Sequence, residues 1–367
     1  MKYFILVGEK SGDLHGSNLI KELISIDPNA EIQAWGGDEM KAAGAEILIH
    51  HKNLAIMGLL GVLQNLSRLK GLFKLFGEQI EAFQPDTIVF IDYGGFNLKA
   101  ARIAKLKGFH TQFYIAPKVW AWNKGRVDTI RKWIDELYVI FPFEKKLFEE
   151  NGIKTHYVGN PLQDAISKFN PDPTFILSDK TYVALLPGSR KQEIQASMPI
   201  FEALSKEMPD ISFYVAGVSE WKNLYAAYPL PVNFDKTYQV LHYAKAAVVT
   251  SGTATLETAL LGVPQLVVYK TDWLFYSLAK LVVNIKYISL VNIILNRAAV
   301  PELIQAEFSV SHLKNGLREL LQADSPSREK QKLDYSELKE SIGKEGASQR
   351  TAAYIVESAK NFKLNNA

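Results

Sequence analysis

The sequence predicts an α/β protein of two domains in tandem, each a parallel sheet with helices on both faces. Short apolar strand candidates alternate with helical patterns, the rhythm of successive βαβ units. That rhythm breaks once, at a proline-bearing segment, and then restarts. With 367 residues, 47% hydrophobic and 22% charged, the chain is long enough for two domains of typical size.

The first run, YFILVG at 3–8, is too short for a signal-peptide core and passes straight into a glycine loop, so it reads as a first strand. A helix follows to about Ile24, and the plain reading makes Asp13 its N-cap. DTIVFID at 86–92 is a second strand. It precedes FNLKAARIAKLKG, a helix closed by Gly108. TQFYIAP and ELYVIFPF continue the series. SKFNPDPTFILSDKT at 167–181, with two prolines and little periodicity, is the best linker, dividing residues 1–168 from residues 169–335. Beyond it come TYVALLPGSRKQEIQASMPIFEAL, ISFYVAG and AAVVTSGTATLETALLGVPQLVVYK, a second Rossmann-like domain. Residues 336–367 are helical in composition and are expected to pack on either domain.

Composition excludes several chemistries. With no cysteine there is no disulfide, thiol nucleophile or Cys-based zinc site. The seven histidines lack His-x-x-x-His spacing, so no metal and no cofactor is assigned. A net charge of +3 is too mild to imply nucleic acid. No stretch reaches the about 18 uninterrupted apolar residues of a spanning helix, which points to a cytosolic protein.

In open parallel sheets ligands bind at the carboxyl ends of strands, so the loops after strands should carry the chemistry, and two facing sheets would share one interdomain cleft. The first such loop, VGEKSGDLHGSNLIKEL at 7–23, has strand, glycine and helix in the order of a phosphate cradle. It fits neither a Walker loop nor a dinucleotide fingerprint, and it carries Glu9 and Asp13 where a phosphate would sit. ALLPGSRKQEI has the right charge. Gly188 precedes Ser189-x-x-Gln192, a capping-box pattern marking a helix start that favours an anion, and Arg190 adds a fork suited to phosphate. VVTSGTATLETALLG repeats the logic, with small residues Gly252, Thr253, Ala254 and Thr255 after Ser251 and with Glu257 placed to accept from ribose hydroxyls.

FIDYGGFN puts Asp92 at the end of a strong strand, where it is either a general base or a turn-capping carboxylate. YIAPKVWAWNKGR places Trp120, Trp122 and Arg126 after another strand, as a cleft wall or as core. LAIMGLLGVLQNLSRLKGLFKLFGEQI at 54–80 joins an apolar face to Arg68, Lys70 and Lys74. Its default reading is a domain face, and the other is a helix in an anionic membrane interface.

GEKSGD, LAIMG, IDYGGFN, VWAW, LLPGSR, SGTATLE and YISLVN occur in that order over nearly the whole chain, and in this the sequence resembles the lipid-A-disaccharide synthases. The resemblance implies a GT-B fold and an inverting transfer from UDP-2,3-diacylglucosamine to 2,3-diacylglucosamine 1-phosphate, giving a β-1,6-linked disaccharide 1-phosphate and UDP. It also implies a peripheral enzyme at the inner face of the cytoplasmic membrane and raises the membrane reading of the 59–76 helix. By the same resemblance Asp92 is the first choice for catalytic base, with Glu9 and Asp13 beside it. Gly188–Arg190, Ser251–Thr255, Glu257, Asn292 and Arg297 would hold UDP. Ser11, Met57, Arg68, Lys70, Lys74, Trp120, Trp122 and Arg126 would lie on the acceptor and lipid side. The chain departs from the commoner family pattern at Lys10, at Gly94–Gly95 and at Val291. A UDP-sugar 2-epimerase and a non-catalytic nucleotide-sugar binding protein are the alternatives.

Overall fold

The computed structural model describes residues 1–54, 66–119, 125–175, 181–272 and 286–366. It divides into two compact units, Met1–Pro161 with Lys344–Ala367, and Leu162–Gly343.

The first unit is built on β1 (Lys2–Leu6), β2 (Glu31–Gly36), β3 (Glu46–His50), β4 (Thr87–Ile91), β5 (Thr111–Tyr114), β6 (Glu136–Val139) and β7 (Thr155–Tyr157). They form one sheet in the order β3-β2-β1-β4-β5-β6-β7, every pairing parallel. The second unit carries β8 (Tyr182–Leu186), β9 (Ser212–Gly217), β10 (Val232–Phe234), β11 (Ala246–Thr250), β12 (Gln265–Tyr269) and β13 (Glu302–Ile304). Their order is β10-β9-β8-β11-β12-β13, again all parallel. These are two doubly wound sheets, the architecture of the GT-B fold.

Both faces of each sheet are covered, which is why the central strands read as continuous apolar runs. In β1, Phe4 and Leu6 join Trp35, Phe76, Phe90 and Phe113 on one side. Tyr3 and Ile5 join Leu19, Ile20, Leu23, Val89 and Ile355 on the other. In β8, Val183 and Leu185 meet Ile194, Met198 and Phe201, while Tyr182, Ala184 and Leu186 meet Val240, Leu241 and Val249. Fully burying each large side chain contributes about 1.5–3 kcal/mol.

Two boundaries differ from those read in the sequence. The units part at Pro161 and Leu162, ahead of the 167–181 segment. The predicted tail is split. Helix Pro326–Ser341 lies within the second unit, whereas helix Ala347–Asn366 belongs to the first. Ala352, Ile355 and Val356 of that last helix enter the apolar layer of helix Lys10–Ile26, and Ser358 donates to Glu136 at 3.0 Å. Burial of this apolar face decides which unit owns the helix. In helix Leu66–Phe83, Leu69, Leu72, Phe73 and Phe76 pack on the core while Arg68, Lys70 and Lys74 are exposed. This described part is a domain face, and Leu59 and Leu63 lie outside the described residues. Among the described residues, no helix is long and apolar enough to cross a membrane.

Candidate active site

Sheet order marks where a candidate site belongs. In each sheet the order reverses once, between β1 and β4 and between β8 and β11, and a crevice opens at the carboxyl ends of such strand pairs. The loops after these four strands are Gly8–Glu9, Asp92–Tyr93, Gly188–Arg190 and Ser251–Thr253.

In the first unit the glycine loop is a packing device. A Cβ on Gly8 would lie 2.0 Å from the Tyr93 ring, and one on Gly16 would lie 2.6 Å from Met40 Sδ. Helix Lys10–Ile26 has Glu9, not Asp13, as its N-cap, with Ser11 exposed in its first turn. Asp13 is 3% exposed, and its carboxylate accepts from the backbone N–H groups of Gly37, Glu39 and Met40 at 2.7, 3.1 and 3.2 Å. It therefore closes the start of helix Asp38–Ala42. The Asp13 carboxylate is thus spent on the backbone N–H groups at the start of another helix. Glu9 is exposed at the loop.

Asp92 ends β4 under strain. Asp92 and Tyr93 both have φ +48°, and Ile115, just beyond the neighbouring β5, has φ +61°. Left-handed backbone costs a non-glycine residue on the order of 1–2 kcal/mol. Such strain is concentrated at functional sites. Burial raises the Asp92 carboxyl above the ordinary aspartate range, against the opposing pull of the Tyr93 N–H and the Lys118 ammonium. Lys118 is exposed. A Cβ on Gly94 would lie 2.8 Å from Pro117 and 3.6 Å from Arg126 Nη1, so the glycine that follows Asp92–Tyr93 admits both groups. Burial lowers the Arg126 pKa from its ordinary value. Met57, Trp120 and Trp122 lie outside the described residues.

In the second unit the predicted cap shifts by one residue. Arg190 is the N-cap of helix Lys191–Glu207, and the partner is Glu193 rather than Gln192. Glu193 accepts from the N–H groups of Ser189 and Arg190 at 3.0 and 3.2 Å, and lies 3.5 Å from the Arg190 guanidinium. Gly188 has φ +100°, and a Cβ there would lie 2.4 Å from the Glu193 carboxylate. The readable part of this cap was Glu193, a glutamate at the third helical position.

After β11, Gly252 and Thr253 are exposed at the start of helix Thr253–Leu260, whose first N–H groups have no acceptor within the helix. Ala254 is half-buried beside them. Ser251 donates to the Ile288 carbonyl at 2.8 Å. Thr255 donates to the Gly252 carbonyl at 2.8 Å and accepts from Leu290 N at 3.3 Å. These two hydroxyls brace the loop. Glu257 accepts from the Tyr238 hydroxyl at 2.7 Å, and burial raises its carboxyl pKa. Tyr238 gave no sequence signal, because it is held to Glu257 by folding across 19 residues of chain.

Two residues assigned to the nucleotide are engaged elsewhere. Asn292 is 1% exposed; its amide donates to Val300 O and Glu302 at 2.9 and 2.8 Å and accepts from Ala299 N and Val300 N at 2.8 and 2.9 Å. An amide has two donors and two lone pairs, so no polar valence is left for a ligand. Arg297 forks onto Asp334 at 2.8 Å and Glu337 at 2.5 Å, fastening the 296–300 turn to helix Pro326–Ser341. Glu302 in turn accepts from Ile288 N and Ser289 N at 3.0 and 2.8 Å. Among the described residues no group of three or more His, Asp or Glu side chains is arranged to hold a metal.

The model of the lipid-A-disaccharide synthetase family matches residues 3–357. The lipid-A-disaccharide synthase of Geobacter sulfurreducens is 34% identical over 378 residues, covering 97% of each chain. That of Nitrosococcus oceani is 35% identical over 368 residues, covering 96% of this chain and 94% of its own. Among solved structures, UDP-GlcNAc 2-epimerase from Neisseria meningitidis bound to UDP-GlcNAc superposes with a TM-score of 0.66 at 12% identity, covering 98% of this chain and 100% of its own. The glycosyltransferase of kitacinnamycin gives 0.62 at 14%, covering 97% of this chain and 98% of its own. At such identities these two show the fold alone. The sequence matches go further: this chain belongs to the lipid-A-disaccharide synthase family, the glycosyltransferases of lipid A biosynthesis.

Proposed function

We propose that the chain transfers diacylglucosamine from UDP-2,3-diacylglucosamine to the 6-hydroxyl of 2,3-diacylglucosamine 1-phosphate, with Asp92 as general base. In a single inverting displacement the acceptor O6 bonds to the anomeric carbon as the bond to the UDP oxygen breaks, and the hydroxyl proton passes to the Asp92 carboxylate. The observation that carries this reading is Asp92 itself, a half-buried carboxyl with a raised pKa on left-handed backbone at the reversal point of its sheet. Glu9, exposed in the loop after the adjacent strand, is the second acid for the acceptor hydroxyls, with Ser11 beside it. Arg126 is the candidate partner of the acceptor phosphate.

The departing diphosphate develops negative charge, and Arg190 with the exposed start of helix Thr253–Leu260 would stabilise it. Glu257, held by Tyr238, is the ribose acceptor. Asn292, Arg297, Ser251 and Thr255 serve the site by shaping its loops. The exposed Arg68, Lys70 and Lys74 suit contact with anionic headgroups, each worth about 1 kcal/mol near a charged surface. Reversing Lys70 and Lys74 to glutamate should weaken sedimentation with anionic vesicles and spare turnover of detergent-dispersed lipids. Equal vesicle binding by the variant would refute the contact.

A UDP-release assay with defined lipid substrates tests the central reading. Release should require both lipids, and Asp92→Asn should lower kcat by about 10²–10⁴-fold with UDP binding retained. The acid limb of the wild-type rate profile should lie above the ordinary aspartate pKa, because activity is lost as the raised carboxyl takes up its proton. Turnover of UDP-N-acetylglucosamine alone would instead make it an epimerase.

A further inference from the structure

We propose that Asn97 is the positioning residue that holds the left-handed Asp92–Tyr93 turn and so aims the Asp92 carboxylate, an assignment that rests on the reading of Asp92 as base. Asn97 is fully buried in helix Gly94–Leu106. Its Nδ2 donates to the Asp92 carbonyl at 2.8 Å and to the Ile91 carbonyl at 3.1 Å, with the Leu6 carbonyl of β1 at 3.4 Å. The ends of both strands at the sheet's reversal point therefore converge on one amide nitrogen. Its Oδ1 is buried with no hydrogen-bond partner among the described residues. Only the donor half of the amide is used.

That asymmetry carries the argument. A left-handed pair swings its carbonyls out of the strand's ladder, and buried carbonyls need donors. The Tyr93 carbonyl is met by the N–H groups of Phe96 and Asn97, both at 3.1 Å. The Ile91 and Asp92 carbonyls are met by the Asn97 side chain. Because peptide units are planar, fixing the Asp92 carbonyl restricts the direction of its Cα–Cβ bond. An aspartate at 97 would set acceptors against acceptors, and an alanine would leave the strained turn with only its backbone bonds, from Asp92 N to Tyr114 and from Phe96 N and residue 97 N to Tyr93.

The test compares Asn97→Ala, Asn97→Asp and Asp92→Asn with the wild type in the full chain, reading kcat, KM for both lipid substrates, the acid limb of the rate profile and Tm. Positioning predicts that Asn97→Ala lowers kcat about 10–100-fold, the loss expected for a small misplacement, with KM changed less than about threefold by the same reasoning. It also predicts that the acid limb moves to lower pH, because a loosened turn lets water reach Asp92. Asn97→Asp should lose more. Asn97→Ser, which keeps one donor, covers the case in which the larger changes fail to fold, and should show a smaller loss with the same shift of the limb. A folded Ala or Ser variant with lower Tm but unchanged kcat and acid limb overturns the proposal and leaves Asn97 a structural residue. Full activity in Asp92→Asn overturns the base reading instead, whatever the Asn97 variants do.

Discussion

Asn292 shows how far a side chain's surroundings can redirect a role inferred from its motif. In SLVN it stands where a nucleotide contact is expected, yet all four of its hydrogen-bonding valences are spent on Ala299, Val300 and Glu302. Asn292→Ala would strand several buried partners at about 1–3 kcal/mol each. The expected result is a drop in unfolding free energy of several kcal/mol in urea, with loss of UDP binding following the loss of fold. A variant as stable as the wild type but unable to bind UDP would return Asn292 to the ligand. Asp13 follows the same rule, its charge spread over three N–H groups of another loop.

At the scale of elements, recurring carboxylates close the loops after strands. Asp13 caps helix Asp38–Ala42, Glu193 takes the N–H groups of Ser189 and Arg190, and Glu302 takes those of Ile288 and Ser289. Each element start is thereby satisfied by the protein's own acid. Glu193→Ala should destabilise the fold by about 0.5–2 kcal/mol, the usual worth of a cap. Gly188→Ala should be worse, since it adds a strained φ to a contact of 2.4 Å. Thermal melts of the two variants decide this, and an unchanged Tm in both would show that the cap contributes nothing.

For the whole molecule, pH is the lever. Burial pushes His15 and His110 down to about 4, from an ordinary histidine value of 6.5. Between those values the unfolded chain binds protons that the native chain refuses, so stability is full above pH 6.5 and is lost as pH falls towards 4. Asp27, Asp86 and Glu136, held below their ordinary values chiefly by hydrogen bonds that outweigh burial, add a further loss at still lower pH. Tm should therefore decline steadily from pH 7 to pH 4, and His110→Gln should flatten part of the slope. A Tm constant over that window would contradict the lowered pKa of the two histidines.

The strands at the middle of both sheets and the loops that follow them were legible in the sequence, because a strand buried on both faces is apolar at most of its positions, the buried Thr87, Gln112 and Gln265 being polar exceptions that find hydrogen-bond partners inside. The short outer strands β3, β7, β10 and β13, partly exposed, carry no such run and emerge only from pairing. The family was legible too, since seven motifs in order leave little freedom. What tertiary structure alone decided is which polar group meets which. Asp13 finds Gly37 across 24 residues, Glu257 finds Tyr238, Arg297 finds Asp334, and helix Ala347–Asn366 returns to the first unit. Hydrophobic period is a property of neighbours along the chain, whereas a hydrogen bond needs one donor and one acceptor at one distance, and folding alone sets that distance.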